Sequence, residues 1–100
     1  MVTLRKYQNK RIAIYGMGLT GCSAARTLKK LGAQVFCWDD NEKIRKKIKR
    51  FNFSFNKFWL YKNLVDHIVI SPGIDINKCK IRSFLKKNQK RIITDLDLFF

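Results

Sequence analysis

The 100-residue sequence contains few of the residues that build disulfide frameworks or metal sites. It has three cysteines, Cys22, Cys37 and Cys79, and a single histidine, His67. The cysteines are odd in number, form no CxxC pair and have no histidine close by in sequence, which argues against a disulfide framework and against a zinc site. We therefore expect reduced thiols in the core or on the surface.

Long apolar runs are also missing. No stretch approaches the roughly 20 apolar residues that a helix needs to cross a bilayer. The first ten residues, MVTLRKYQNK, include basic residues but neither an apolar core nor a small-residue cleavage site, so they do not resemble a secretory signal. The sequence therefore predicts a cytoplasmic protein without a membrane span.

Acidic residues are scarce, with 7 Asp and Glu against 22 Lys and Arg, which gives a formal net charge of +15. Such a charge attracts polyanions at low salt, so a basic nucleic-acid-binding module is one alternative function. The spread of lysine over the whole chain favours a solvated surface instead, with nonspecific binding only. The densest basic cluster lies on one predicted helix and consists of Lys43, Arg45, Lys46, Lys47, Lys49 and Arg50.

The residues that are abundant predict one globular domain, because 46% of the chain is apolar and 13% is aromatic. Residues 11–15 (RIAIY) predict a buried strand that runs into the glycine-rich GMGLTG. Residues 22–31 predict a helix that ends at Gly32, and residues 34–39 (QVFCWD) predict a second strand. Together they form a βαβ unit.

Strands and helices continue to alternate along the rest of the chain. We expect a helix over 42–51 with Ile44, Ile48 and Phe51 inward, a short strand at 53–55, a strand at 67–71, a helix within 77–88 with Ile81, Phe84 and Leu85 inward, and a strand at 91–94. The pattern predicts an α/β fold: a Rossmann-like parallel sheet of about five strands with helices on both faces. We expect residues 1–94 to form this domain, and 95–100, capped by Asp95, to begin a helix that connects to a further domain.

The GMGLTG motif is typical of a phosphate-binding turn. Gly16 permits the tight turn, Gly18 lets a phosphate approach the backbone, and Gly21 lets helix and strand pack closely. Exposed amides and the helix dipole favour an anion there, with about 0.3 to 1 kcal/mol from the dipole alone. Thr20 could add one hydrogen bond from its hydroxyl. We therefore predict nucleotide binding.

Two further features accompany the glycine motif. Asp39 ends the second strand, where an acid binds a ribose hydroxyl in dinucleotide enzymes, is solvated, or caps the following helix. The SPGI segment, residues 71–74, follows a later strand and either faces GMGLTG across one crevice or is a plain connector. The NAD-binding domain of an oxidoreductase is therefore a second alternative.

GMGLTG, WDD, SPGI and TDLDLFF follow one another in this order. This set resembles the N-terminal domain of the UDP-N-acetylmuramoyl-L-alanine:D-glutamate ligase family over essentially the whole chain. The resemblance implies a UDP-binding domain, with the diphosphate held by the first and third motifs and the uracil placed at the second. The implied UDP-binding residues are Gly18, Leu19, Thr20, Gly21, Asp39, Asp40, Asn41, Ser71, Pro72 and Gly73. Family members often have Thr and then Arg after the acid, where this chain has Asp40 and Asn41.

The resemblance also implies the chemistry of the parent enzyme. Such ligases activate a carboxylate with ATP and Mg²⁺ on a central domain, and the amine of D-glutamate then attacks the acyl phosphate. This chain has no G-x-x-x-x-G-K-[ST] loop and no cluster of His and carboxylates for magnesium. We therefore expect no catalytic residue and no cofactor here, and we expect UDP-N-acetylmuramoyl-L-alanine and the other ligase domains as partners.

Overall fold

The computed structural model describes residues 7–61 and 64–93. Its strands and helices are β1 (Arg11–Tyr15), α1 (Leu19–Lys30), β2 (Gln34–Trp38), α2 (Glu42–Ile48), β3 (His67–Ile70), α3 (Arg82–Lys87) and β4 (Ile92–Ile93). Short 3-10 turns cover Lys49–Phe51, Phe58–Leu60 and Gln89–Arg91. None of the helices in the described ranges is long and apolar enough to cross a membrane.

The four strands form one parallel sheet in the order β2-β1-β3-β4. In the register of this sheet, Ile12 of β1 lies opposite Val35 of β2 on one side and His67 of β3 on the other. Helix α1 forms the crossover between β1 and β2, as parallel neighbours require. The predicted Rossmann-like α/β fold is confirmed.

Helical and loop elements cover both faces of the sheet. Ile12 and Ile14 of β1 contribute to one core with α1 and the inner side of α2. Ala13 and Tyr15 contribute to the other core, with α3 and Phe58. Strand β1 is therefore buried on both faces, as expected for a central strand of a parallel sheet.

The strand predicted at 53–55 is reduced to a single parallel bridge between Phe55 and Cys37. The Cys37 amide donates to the Ser54 carbonyl (2.8 Å), and the Asn56 amide donates to the Cys37 carbonyl (3.0 Å). Asn52 has a left-handed φ of 59°, so the chain turns shortly before the bridge and does not run alongside β2. The sheet therefore has four strands and one additional rung.

Helix boundaries differ from the predictions at several points. Helix α1 begins at Leu19, so the last three residues of GMGLTG form its first turn. Helix α2 ends at Ile48, and Phe51, predicted to face inward, is 43% exposed; that prediction is wrong. The cause is the tighter 3-10 turn after Ile48, which changes the direction of the side chains that follow.

At the carboxyl end of the chain, α3 is shorter than the helix predicted within 77–88, although Ile81 and Leu85 are buried as predicted and Phe84 is partly buried against the same core. Strand β4 contains only Ile92 and Ile93. Thr94 and the predicted helix cap at Asp95 lie outside the described residues.

Burial of Cys37 predicts that the domain loses stability at alkaline pH. The Cys37 thiol is fully buried, and burial, followed by the nearby Cys22, raises its pKa from 9.0 to about 12. The folded state keeps the proton while the unfolded chain releases it, so the stabilisation is complete below the unfolded pKa and is lost as pH rises above it. Between about pH 9 and pH 10 the slope approaches about 1.4 kcal/mol per pH unit for this group.

Urea unfolding of the wild type and of Cys37→Ala across this pH range measures the effect. We expect a shallower pH dependence in the variant, with a residual slope from Cys22, whose pKa burial also raises. Equal slopes in the two proteins would contradict the burial of the Cys37 thiol.

Candidate nucleotide-binding site

The glycine motif forms a tight turn between β1 and α1. Gly16 has φ of 98°, and its amide donates to the Trp38 carbonyl at 2.8 Å. A Cβ on Gly21 would overlap the carbonyl oxygen of Gly16, so the first turn of α1 lies directly against the turn. Both glycines have the steric roles that the motif predicts.

The amino end of α1 is exposed and is not capped by any side chain. Gly18 is its N-cap, with no side-chain cap and no acid in the first turn. The first intrahelical bond runs from the Cys22 amide to the Gly18 carbonyl (2.9 Å), so helix geometry leaves the amides of residues 19–21 without an intrahelical acceptor. Thr20 is exposed, Leu19 is 94% exposed, and a Cβ on Gly18 would meet nothing within 4 Å.

Asp39 joins the glycine turn to the end of β2. Asp39 is buried, with 8% of its surface exposed. One of its carboxylate oxygens accepts a hydrogen bond from the Met17 amide, and the other accepts one from the Asn41 amide, each at 2.8 Å. Asn41 caps α2, because its side-chain oxygen accepts from the Lys43 amide at 2.9 Å. The carboxylate of Asp39 thus holds backbone in place, and its predicted contact with a ligand stays a prediction.

Asp40 has its hydrogen-bond partners in the second core. Its carboxylate accepts from the Tyr15 hydroxyl and from the Trp38 indole nitrogen (3.2 Å). Burial, with Asp40 as the next cause, raises the pKa of Tyr15 far above its usual value, so the phenol stays neutral. Both oxygens of Asp40 are therefore engaged by protein donors, and the predicted contact of this residue with a uracil ring remains to be tested.

The SPGI loop lies against the glycine turn, as the shared sheet edge predicts. The Ser71 amide donates to the Tyr15 carbonyl (3.1 Å), and its hydroxyl donates to the Gly16 carbonyl at 2.6 Å. Pro72 and Gly73 are exposed beyond it. The two loops are in contact beyond the carboxyl ends of β1 and β3, the edge at which open parallel sheets bind ligands.

Sequence reasoning placed Arg45 among the solvated cations and missed its position. A guanidinium nitrogen of Arg45 donates to the Asp39 carbonyl at 2.6 Å, and the guanidinium carbon lies 4.4 Å from the centre of the Trp38 ring. The side chain is partly buried. The sequence does contain one signal for this position. Arg45 follows the helix cap Asn41 by four residues, and residues four apart share a helix face. Arg45 adds a fixed positive charge at the end of β2.

Residues 10–93 match the family described as Mur ligase MurD-like, N-terminal domain. The chain belongs to this family. It is 32% identical over 100 aligned residues to a UDP-N-acetylmuramoylalanine--D-glutamate ligase of Wolbachia pipientis wMel. The alignment covers 96% of this chain and 19% of the relative. The ligase of the same description from Haemophilus influenzae strain Rd is 33% identical over 102 residues, covering 96% and 23%. This MurD-like domain therefore spans about a fifth of the length of these relatives.

A solved structure shares the fold of the MurD-like domain. Shikimate dehydrogenase from Aquifex aeolicus matches with a TM-score of 0.61 and 20% sequence identity, covering 93% of this chain and 45% of the dehydrogenase. At this identity the likeness concerns the Rossmann-like architecture alone. The motifs and the family, not the fold, carry the argument on function.

Proposed function

We propose that this MurD-like domain binds the uridine diphosphate part of UDP-N-acetylmuramoyl-L-alanine, within an ATP-dependent ligase that adds D-glutamate during peptidoglycan biosynthesis. The observation that carries the proposal is the hydrogen bond from Ser71 to Gly16 at 2.6 Å, which joins the SPGI loop to the glycine turn beside the open end of α1. The two aligned relatives bear the name of that ligase.

The diphosphate would lie at the amino end of α1. The amides of residues 19–21 and the Thr20 hydroxyl supply donors, the helix dipole favours a negative group, and no acid in the first turn opposes it. The Ser71 hydroxyl already donates to Gly16, so we assign Ser71 to positioning the turn. Pro72 lacks an amide hydrogen, which leaves the amide of Gly73 as the donor from the second loop.

The base would lie beyond the end of β2, at residues 39–41. Asp39 still has lone pairs outside its two backbone bonds, and Asn41 is exposed. The exposed Leu19 side chain offers an apolar contact on the α1 side. Arg45, fixed by Trp38 and the Asp39 carbonyl, contributes a positive charge nearby.

The family match, rather than the acids at the end of β2, favours UDP over the NAD alternative. In dinucleotide-binding domains an acid at the end of the second strand binds the ribose hydroxyls through its carboxylate. Here both oxygens of Asp39 accept backbone amides, and both oxygens of Asp40 accept Tyr15 and Trp38. Each of these carboxylate oxygens already accepts one protein donor and keeps a further lone pair, so the two acids do not by themselves distinguish a ribose diol from a uracil ring.

We assign ATP and Mg²⁺ to ligase domains beyond this chain. Within residues 7–61 and 64–93, no three His, Cys, Asp or Glu side chains form a group that could hold a metal ion. We also propose a cytoplasmic location for the parent ligase, consistent with the free thiols of Cys22, Cys37 and Cys79.

A titration of the isotope-labelled chain with UDP, NAD and a short single-stranded oligonucleotide, at moderate and high salt, tests the proposal. We expect UDP-selective, salt-tolerant amide shifts at residues 19–21, 39–41 and 71–73. A preference for NAD would contradict the UDP assignment. Salt-sensitive oligonucleotide shifts centred on α2 would favour the nucleic-acid alternative instead.

Gly18→Ala separates binding from folding. With φ of −73° and no neighbour within 4 Å of the added methyl, alanine should lower the free energy of unfolding by no more than about 1 kcal/mol, the cost of replacing glycine at a helix N-cap. The methyl would occupy space that we assign to the phosphate, so UDP binding should weaken about tenfold. Ser23→Ala, exposed on the same helix, should change neither quantity. Unchanged UDP affinity in Gly18→Ala would place the diphosphate elsewhere.

A further inference from the structure

Strand β2 is an edge strand, and one of its residues has outward backbone groups without a hydrogen-bond partner in the described ranges. The Gln34 amide donates to the Lys10 carbonyl (2.8 Å), and the Trp38 carbonyl accepts from Gly16 (2.8 Å), so the backbone groups of the even-numbered residues of β2 face β1. Those of the odd-numbered residues face outward, and Cys37 uses its pair to bond Ser54 and Asn56. Across the described ranges, the outward amide and carbonyl of Val35 have no partner.

A cavity lies beside these backbone groups. It has a volume of about 770 Å³, within the range of ligand pockets, and Val35 is among its lining residues. It forms beside residues 51–53, which do not extend the pairing that β2 makes with Ser54 and Phe55. None of the residues predicted to bind UDP lines it. The carboxyl-terminal half of α1 forms another wall, so the cavity is a site separate from the glycine turn.

We call this cavity the β2 groove. The charged side chains that line it are all basic. Arg26, Lys29 and Lys30 line it together with apolar side chains, and no Asp or Glu is among its lining residues. The Arg26 guanidinium lies 5.3 Å from the Phe51 ring centre and 5.9 Å from that of Phe53. Lys29 and Lys30 lie in the last turn of α1, where a positive charge also complements the helix dipole. Arg26 lies one turn earlier, so the dipole does not account for its charge.

We propose that the β2 groove binds an extended acidic peptide segment that adds to the sheet alongside Val35. An unpaired strand edge supplies main-chain hydrogen bonds for such strand addition, and the side chains of alternate residues supply specificity. Acidic side chains on the α1 side of the segment would meet Arg26 and Lys29, close to the Phe51 and Phe53 rings beside which the Arg26 guanidinium lies. The outward amide and carbonyl of Val35 together match the carbonyl and amide of a peptide backbone, and we therefore propose a peptide rather than a nucleic acid.

Amide shifts and binding isotherms of the 100-residue chain with blocked probe peptides test the proposal at physiological salt. The probes are Asp-Val-Asp-Val-Asp, its counterpart with Lys in place of Asp, and an all-Asp peptide of the same length. We expect the first to shift the Val35 amide and its neighbours in the β2 groove and to bind about tenfold more tightly than the other two. Equal binding of the all-Asp peptide, with shifts spread over all basic surfaces, would reduce the effect to nonspecific charge and overturn the proposal.

Two variants identify the contacts. Val35→Pro removes the outward amide hydrogen, a change that edge strands tolerate, and should weaken the first peptide about tenfold. Arg26→Glu reverses one charge of the groove and should weaken it several-fold, while Lys87→Glu on α3, the matched control, should not. UDP titrations should be the same in all three variants. Unchanged peptide affinity in both groove variants would overturn the proposal, as would Val35 shifts caused by protein concentration alone, which would identify a second copy of the chain as the occupant.

Discussion

Replacing Gly21 with alanine is expected to destabilise the domain by about 3 kcal/mol, even though alanine is the better helix former. Gly21 lies in the first turn of α1, where alanine in place of glycine should gain about 0.5 to 1 kcal/mol from propensity alone. The added Cβ would overlap the carbonyl oxygen of Gly16. That carbonyl accepts the Ser71 hydroxyl and the Gly16 amide donates to Trp38, so the turn is held in place and α1 has to move.

Urea unfolding of Gly21→Ala and of Gly18→Ala measures this effect with a matched control. The two substitutions add the same methyl to the same motif, but only position 21 has backbone in the way. A displaced α1 would also move the amides of residues 19–21, so UDP binding should fall in the fraction that remains folded. Equal stability of the two variants would show that α1 can shift at little cost and would contradict the close packing described for the motif.

Much of the fold could be predicted because its signals are local. The β-branched run at 11–15 has the bounds of β1 as observed, and continuous apolar character predicted strands covered on both faces. The contact between the two loops followed from topology, because the carboxyl ends of parallel strands share an edge, which brings Gly16 and Ser71 together although 55 positions separate them. The identity of the ligand did not follow from these patterns; it rests on the family resemblance.

The partners of charged side chains could not be predicted in this way. Asp39 and Asp40 are neighbours in sequence, yet the first holds the Met17 amide of the glycine turn and the second holds Tyr15 and Trp38. Each of these arrangements depends on the register between β1 and β2 in the folded sheet. A local sequence pattern does not determine that register. The same limit explains Arg45, whose charge is evident in the sequence but whose contact with Asp39 is not.

The alternation of Phe53 and Phe55 shows how a local pattern can mislead. It is typical of a strand, and Phe55 does pair with Cys37, but the left-handed backbone of Asn52 prevents the segment from extending the pairing. The position that would have filled the edge of β2 is therefore left as the β2 groove. A failed strand prediction thus coincides with the site that we propose for a peptide.

Asp39→Ala is the second substitution for which we expect a large effect, again about 3 kcal/mol of lost stability. The carboxylate accepts the Met17 and Asn41 amides, each at 2.8 Å, from a buried position. A hydrogen bond to a charged group contributes about 1.5 to 3 kcal/mol, and alanine would leave the Met17 amide without an acceptor in the core. Asp39→Asn should lose less, because its amide oxygen can still accept one of the two donors.

Asp75→Ala provides the matched control. Asp75 accepts the amide of Asn77 at 2.9 Å, the same two-residue turn that Asp39 makes with Asn41, but it is exposed and has no bond to a glycine turn, so the loss should stay below about 1 kcal/mol. Unfolding curves and UDP titrations of all three variants separate two roles for Asp39. If its carboxylate chiefly holds the turn, stability and UDP affinity fall together in Asp39→Ala. If affinity falls while stability is unchanged, the carboxylate instead faces the ligand, and the acid is a uracil contact as the family resemblance implies.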